Sequence, residues 1–177
     1  MRWLKNLFLL WIVSLCLSLV VCIENVGAMK INYLSKEFQL FIRGIEDASR
    51  YYNIPPKLLL AIAYVESGFN FRAVNVNRNR TRDYGVFQIN ETNLKRFGYS
   101  KGVAFHPYWS AYLAAYILRE CINEVGYSWK AVDCYNKGPS RAKENSKYVW
   151  KVYRAMQKLE NTSLNQFVFL HIENKKN

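Results

Sequence analysis

Apolar positions in the first third of the chain recur at steps of three and four. After Ser35, a candidate N-cap, Phe38, Phe41, Ile45, Ala48 and Tyr52 fall on one face, which predicts an amphipathic helix over 36–52 with a single core stripe. Pro55-Pro56 opens a second helix over about 57–66, whose residues Leu58 to Val65 are apolar on every side. A helix apolar all round is buried. Residues 67–84 have the opposite character, rich in Asn, Arg, Gly and Ser, and read as a long polar loop that includes Asn77-Arg78-Asn79-Arg80-Thr81-Arg82. A loop of that length inside a folded domain is more often functional than incidental. Short helical pieces are expected near 86–89 and 91–97, with Gly98 as a stop. A longer helix starts at Pro107, a proline suited to the first helical position, and carries Trp109, Tyr112, Ala115, Ile117, Leu118 and Ile122 toward Gly126. Two last helices are expected over about 128–135 and 140–159. No alternating strand pattern and no internal repeat stand out, so the fold class is mainly α.

The two ends differ from this body. Arg2 and Lys5 precede a nearly unbroken apolar run over 7–23, followed by Val26-Gly27-Ala28, the order of a secretory signal over 1–28. The alternative is a retained anchor in the inner membrane, because the run is at the short limit for a span. Val21 is too bulky for the lipobox that Cys22 would otherwise suggest. Residues 29–160 form the expected domain. Residues 161–177 form a tail with one apolar patch at 167–172, either frayed or partner-binding.

Export changes how the cysteines read. Cys16 and Cys22 lie in the signal, while Cys121 and Cys134 remain in the domain. Two cysteines in an oxidising compartment suggest one disulfide between two helices; independently buried thiols are the alternative. Closing a loop of about 15 residues is worth roughly 3 kcal/mol. No metal site is expected, since His106 and His171 share no ligand spacing with this pair.

Composition narrows the partner less than the signal does. With 51% apolar and 16% aromatic residues the chain has material for a core, which excludes a disordered polyelectrolyte despite a net charge of +12. That charge points to an anionic partner: nucleic acid, membrane surface or acidic wall polymer.

Glu66 is the candidate for chemistry. It is the only charge between Leu58 and Ser67 and stands where the buried helix gives way to the polar loop. Desolvation there raises a carboxyl pKa, and the negative end of the helix dipole acts in the same direction. A carboxylic acid held protonated near neutral pH is a general acid. A buried glutamate satisfied by backbone or arginine is the alternative.

Three segments surround that residue in an order that carries a resemblance. Tyr64-Val65-Glu66-Ser67-Gly68-Phe69-Asn70, Gly85-Val86-Phe87-Gln88-Ile89-Asn90 and Ala131-Val132-Asp133-Cys134-Tyr135-Asn136-Lys137-Gly138 resemble the signatures of the soluble lytic transglycosylases. The likeness runs over about 36–158 and is closest to small exported members that accompany secretion, conjugation or pilus machines. It implies a lysozyme-like, goose-type domain with Glu66 as catalytic acid and base. Ser67, Gln88, Tyr135, Asn136 and Tyr148 then follow as glycan-side residues, with the Tyr135 hydroxyl near the carboxylate. Two departures are visible: Phe87 stands where the family usually has Met, which reshapes the cleft, and Lys137 replaces Ala, which adds charge at its edge.

The resemblance implies non-hydrolytic cleavage between N-acetylmuramic acid and N-acetylglucosamine, leaving 1,6-anhydromuramoyl ends, with no cofactor. Most glycosidases use two carboxylates. Asp83 is the nearest second one, and its neighbours Arg80 and Arg82 favour a loop ion pair instead. A goose-type muramidase that admits water, and a peptidoglycan-binding assembly factor with little turnover, are the alternatives. The partners expected are peptidoglycan strands and components of such a machine, for a monomer exported to the periplasm. An exported chain seldom meets nucleic acid, so the Asn77 to Arg82 run is not read as a nucleic-acid site. Arg78, Arg80, Arg82 and Lys137 are expected to border the cleft.

Overall fold

The computed structural model describes residues 36–159; the signal expected over 1–28 and the tail over 161–177 lie outside the described residues. The first helix, α1, spans Lys36–Tyr52 and buries Phe38, Phe41, Ile45 and Ala48. Glu37 in its first turn and Arg50 in its last complement the helix dipole. α2 spans Pro56–Ser67, starts on a proline and buries the whole run Leu58 to Ala63. Gly68 ends it in the left-handed region at φ 59°, and its N–H donates to the Tyr64 carbonyl.

The segment read as loop holds the first two strands of a small antiparallel sheet, β1 Val74–Val76 and β2 Arg82–Tyr84, and the third, β3 Ile89–Asn90, follows it, in the order β1-β2-β3. Asn75 pairs with Asp83, and Asp83 with Asn90. Strands of two or three residues are too short for a period-two pattern to register, and a mostly exposed ribbon carries no apolar face. Nor is 86–89 helical. Gly85 at φ 73° and Gln88 at φ 48° make a tight turn there.

α3 (Glu91–Arg96) follows, capped by Asn90, whose side chain accepts from the Thr92 N–H. α4 (Lys101–Phe105) is a short helix that the sequence pattern does not announce. α5 (Pro107–Val125) starts at the expected proline, and α6 (Trp129–Lys137) is capped by the Ser128 side chain. The final helix, α7, spans Lys147–Leu159 rather than beginning near 140; Pro139–Arg141 form a turn of 3₁₀ helix, and the chain then runs irregularly to α7. The fold of the described residues is therefore mainly helical, as expected.

Phe41 sits at the centre of the core with Phe38, Phe69, Phe71 and Phe87 around it, at ring separations of 5.3 to 6.2 Å. Edge-to-face contacts of this kind add to the burial of large rings. Phe69 and Phe71, each 5% exposed, pin the start of the polar segment onto this core. α1 lies close against the start of α5: a methyl group added at Gly44 would sit 2.7 Å from the Tyr108 carbonyl oxygen. Cys121 and Cys134 form the expected disulfide, with Cα atoms 5.8 Å apart, and tie α5 to α6. Among the described residues no helix is long and apolar enough to cross a membrane.

Candidate active site

α2 delivers Glu66 from the core to the wall of a cleft of about 1000 Å³. Burial raises its pKa from an ordinary 4.5 to about 7, and the charge of Asp83 adds to the rise. The Tyr148 hydroxyl and Lys151 act in the opposite direction without cancelling it. The carboxyl group is thus half protonated near neutral pH. It can give a proton to an acceptor in the cleft and take one back.

Tyr135 stands close enough to feel the charge of Glu66, as expected, but the direct bond to the carboxyl group comes from Tyr148. Tyr148, on the first turn of α7, donates its hydroxyl to Glu66 Oε1 at 2.6 Å. Tyr135, on α6, instead donates to the Phe87 carbonyl at 3.0 Å. Its phenol is pushed well above its usual range by burial, then by the charges of Glu66 and Asp83, so it stays a protonated wall of the cleft. Burial and Glu66 also hold the Tyr148 phenol well above that range. Both phenols therefore keep their protons and remain hydrogen-bond donors near neutral pH.

Ser67 serves the scaffold. Its hydroxyl donates to the Val86 carbonyl at 2.8 Å and accepts from the Asn70 N–H at 3.0 Å, which joins the end of α2 to the turn after β2. It is not among the residues that line the cleft. Gln88 and Asn136 do line the cleft. The Gln88 amide donates to Gly85 O at 2.9 Å and lies 3.4 Å from Ala73 O, which fixes the side chain of a residue already in an unusual backbone conformation. Phe87 points away from the cleft into the core and is fully buried, so the exchange of Met for Phe repacks the interior rather than reshaping the subsites.

Asp83 also departs from its expected role. It lies in the same cleft as Glu66, and among the described residues no arginine pairs with it. The side-chain amides of Asn77 and Asn90 donate to its two oxygens at 2.9 and 2.7 Å, and both amides also reach Thr81 Oγ1. Cross-strand pairing explains this: Asn90 stands opposite Asp83 on β3, out of reach of a reading that follows sequence neighbours. Two neutral amides orient the carboxylate without supplying a counter-charge, which leaves its negative potential available to the cleft.

The basic rim is partly rearranged. Arg78 and Arg141 line the cleft, whereas Arg80 and Arg82 do not. Lys137 lines it too, but its ammonium is 2.9 Å from buried Asp133. Its charge is directed inward.

Comparison with known proteins identifies the family. The family model described as Transglycosylase SLT domain matches residues 43–156. The chain is 46% identical over 115 residues to Protein IpgF of Shigella flexneri, a match spanning 62% of this chain and 76% of that protein. It is 36% identical over 122 residues to Invasion protein IagB of Salmonella typhimurium, spanning 66% and 76%. It is 30% identical over 130 residues to X polypeptide of Escherichia coli, spanning 65% and 77%.

Proposed function

The chain belongs to the transglycosylase SLT family, and on that premise we propose that Glu66 cleaves the β-1,4 bond between N-acetylmuramic acid and N-acetylglucosamine in peptidoglycan without adding water. The observation that carries this reading is that, of the two carboxyl groups lining the cleft, Glu66 has a pKa raised to about 7 and is fixed by the Tyr148 hydroxyl. Protonated Glu66 gives its proton to the glycosidic oxygen as the bond to C1 breaks. The acetamido oxygen of the same sugar closes on C1 and holds the positive charge. Glu66, now a carboxylate, takes the proton of the C6 hydroxyl as that oxygen attacks C1 and opens the transient ring. A 1,6-anhydromuramoyl end results, and the carboxyl group is restored. Gln88, Asn136 and Tyr135 bind and orient the strand, and Tyr148 keeps Glu66 aimed.

Mass spectrometry of digested sacculi tests the reading. Anhydro ends, lighter than reducing ends by one water, are expected as the main product, with none above background from Glu66→Gln. Reducing ends as the main species overturn it.

Asp83 favours a second reading on its own. A carboxylate in the same cleft, oriented by two amides, stabilises a cationic sugar, and water can then take the place of the C6 hydroxyl. Under hydrolysis Asp83→Asn loses most of its activity. Under anhydro formation the acetamido group carries the positive charge, so the variant keeps its product and loses less than about tenfold in rate.

The same proposal places the enzyme outside the inner membrane, exported by the segment at 1–28, opening the wall locally for a secretion, conjugation or pilus machine. The Salmonella relative is named an invasion protein, which supports that setting. The mature N-terminus, read by mass spectrometry of periplasmic protein, checks the export step: cleavage near residue 28 is expected, and a full-length chain that stays with the inner membrane indicates the anchor. A binding factor without turnover has no use for a carboxyl group raised to about 7, which weighs against the non-catalytic alternative.

A further inference from the structure

Asp133 is fully buried on α6, four residues before Lys137, and its carboxylate gathers donors from both ends of the irregular segment that follows. Lys137 Nζ lies 3.0 Å from Oδ2 and the Lys143 backbone N–H donates to Oδ2 at 2.8 Å. The Ser146 hydroxyl donates to Oδ1 at 2.5 Å. Ser146 Oγ also accepts from the Val149 N–H at 3.2 Å and so caps the first turn of α7. Residues 138–146 are thereby tied at start, middle and end. Gly138 and Arg141 of this segment line the cleft. Two residues past Ser146, Tyr148 meets Glu66.

We propose that Asp133 is a positioning residue: through Lys137, Lys143 and Ser146 it sets the wall formed by Gly138 and Arg141 and the placement of Tyr148 on Glu66. The inference rests on reading Glu66 as the reactive carboxyl group. Burial alone pushes the Asp133 carboxyl upward, but the bonds from Ser146, Lys137 and Lys143 outweigh it and hold the group ionised below its usual range. A buried ion pair is weak support for stability as such and is better suited to fixing one arrangement among several. Here the arrangement fixed is the entry of α7.

The groups that act on Glu66 make the consequence readable. α7 supplies Tyr148 and Lys151, which lower its pKa; β2 supplies Asp83, which raises it; and α6 supplies Tyr135, a neutral phenol raised by burial and by the charge of Glu66. Loosening the start of α7 withdraws both lowering influences, so Glu66 moves upward. Removing the negative charge of Asp133 without any displacement moves Glu66 downward, because a like charge disfavours the carboxylate. The two causes have opposite signs.

The experiment is a titration of side-chain carboxyl carbons by ¹³C NMR in the full chain, with the Glu66 signal assigned by its absence in Glu66→Gln. Asp133→Asn, Ser146→Ala and Tyr148→Phe are compared with the unaltered chain. All three are expected to shift Glu66 upward. Ser146→Ala changes no charge and decides the matter if Asp133→Asn fails to fold. No shift, or a downward one, in Ser146→Ala overturns the proposal, whatever Asp133→Asn does. The readout needs no turnover, so a chain that fails to release anhydro ends sinks the functional reading while the titration still judges the positioning role.

Discussion

Glu66 couples stability to catalysis through one proton. Its folded-state pKa of about 7 lies above an ordinary 4.5, so between those values the folded chain binds more proton than the unfolded one. Stability from this group is present below pH 4.5 and is lost as pH rises through about 7. At 1.36 kcal/mol for each unit, ionised Glu66 destabilises the fold by about 3 kcal/mol in alkaline solution. Glu66→Gln removes that cost. Thermal melts are expected to show the variant more stable than the natural chain at pH 8.5 and close to it at pH 4.5, while clearing of sacculi falls by about 100-fold or more. A variant that is no more stable at pH 8.5 places Glu66 in a wetter site than the cleft described. The same carboxyl group gives the basic limb of the rate profile. With the acid form required, wall cleavage declines above about pH 7. Asp83→Asn takes away a charge that raises the pKa, so its basic limb moves to lower pH. A rate profile in sacculus turbidity checks this, and an unmoved limb separates Asp83 from Glu66.

Elements decide how much of this site can be read along the chain. α1, α2 and α5 carry apolar runs long enough for a helical period, and their limits agree with the pattern to within about a residue or two. The segment between α2 and α3 owes its form to contacts the pattern does not encode. Phe69 and Phe71 anchor it in the core, and its three short strands pair Asp83 with Asn90 across the ribbon. Asp83 therefore reads as a neighbour of Arg82 in sequence and stands as a neighbour of Glu66 in space. Tyr148 is legible as an aromatic near the cleft, but its bond to Glu66 depends on where α7 begins, and the Asp133 ties set that start. Ser67 carries the same lesson: the motif names it, and only the turn after β2 shows that Val86 is its partner. Ser67→Ala is expected to cost about 1 kcal/mol in chemical denaturation and to lower lysis through a looser Gln88 turn. Gly44 gives a contrasting case away from the cleft. A side chain there meets Tyr108 backbone at 2.7 and 2.8 Å, so Gly44→Ala pushes α1 from α5 and is expected to cost about 1–3 kcal/mol. Activity for each folded molecule should stay unchanged, which a melt paired with an active-fraction assay would check.

Charge acts on the whole molecule. A net +12 attracts the chain to an acidic wall wherever its cations sit, but the structure separates two groups among them. Arg78 and Arg141 line the cleft, whereas Lys137 is held by Asp133 and Arg43 and Arg50 of α1 pair with Asp47. Diffuse attraction and cleft capture respond differently to salt. Raising ionic strength from about 0.1 M to about 1 M shortens the screening length from about 10 Å to about 3 Å, which weakens long-range attraction and leaves buried contacts little changed. Binding to sacculi is therefore expected to fall several-fold over that range, while the rate at saturating substrate holds, because the proton transfer at Glu66 takes place between groups in contact. Replacing Arg78 and Arg141 together by Ala distinguishes the two sources. If the cleft pair captures the strand, the double variant has a raised KM at low salt, a normal kcat, and little salt sensitivity left. If the rest of the surface does so, the double variant keeps the salt slope of the natural chain, and the cleft arginines then serve local alignment of the strand rather than its recruitment.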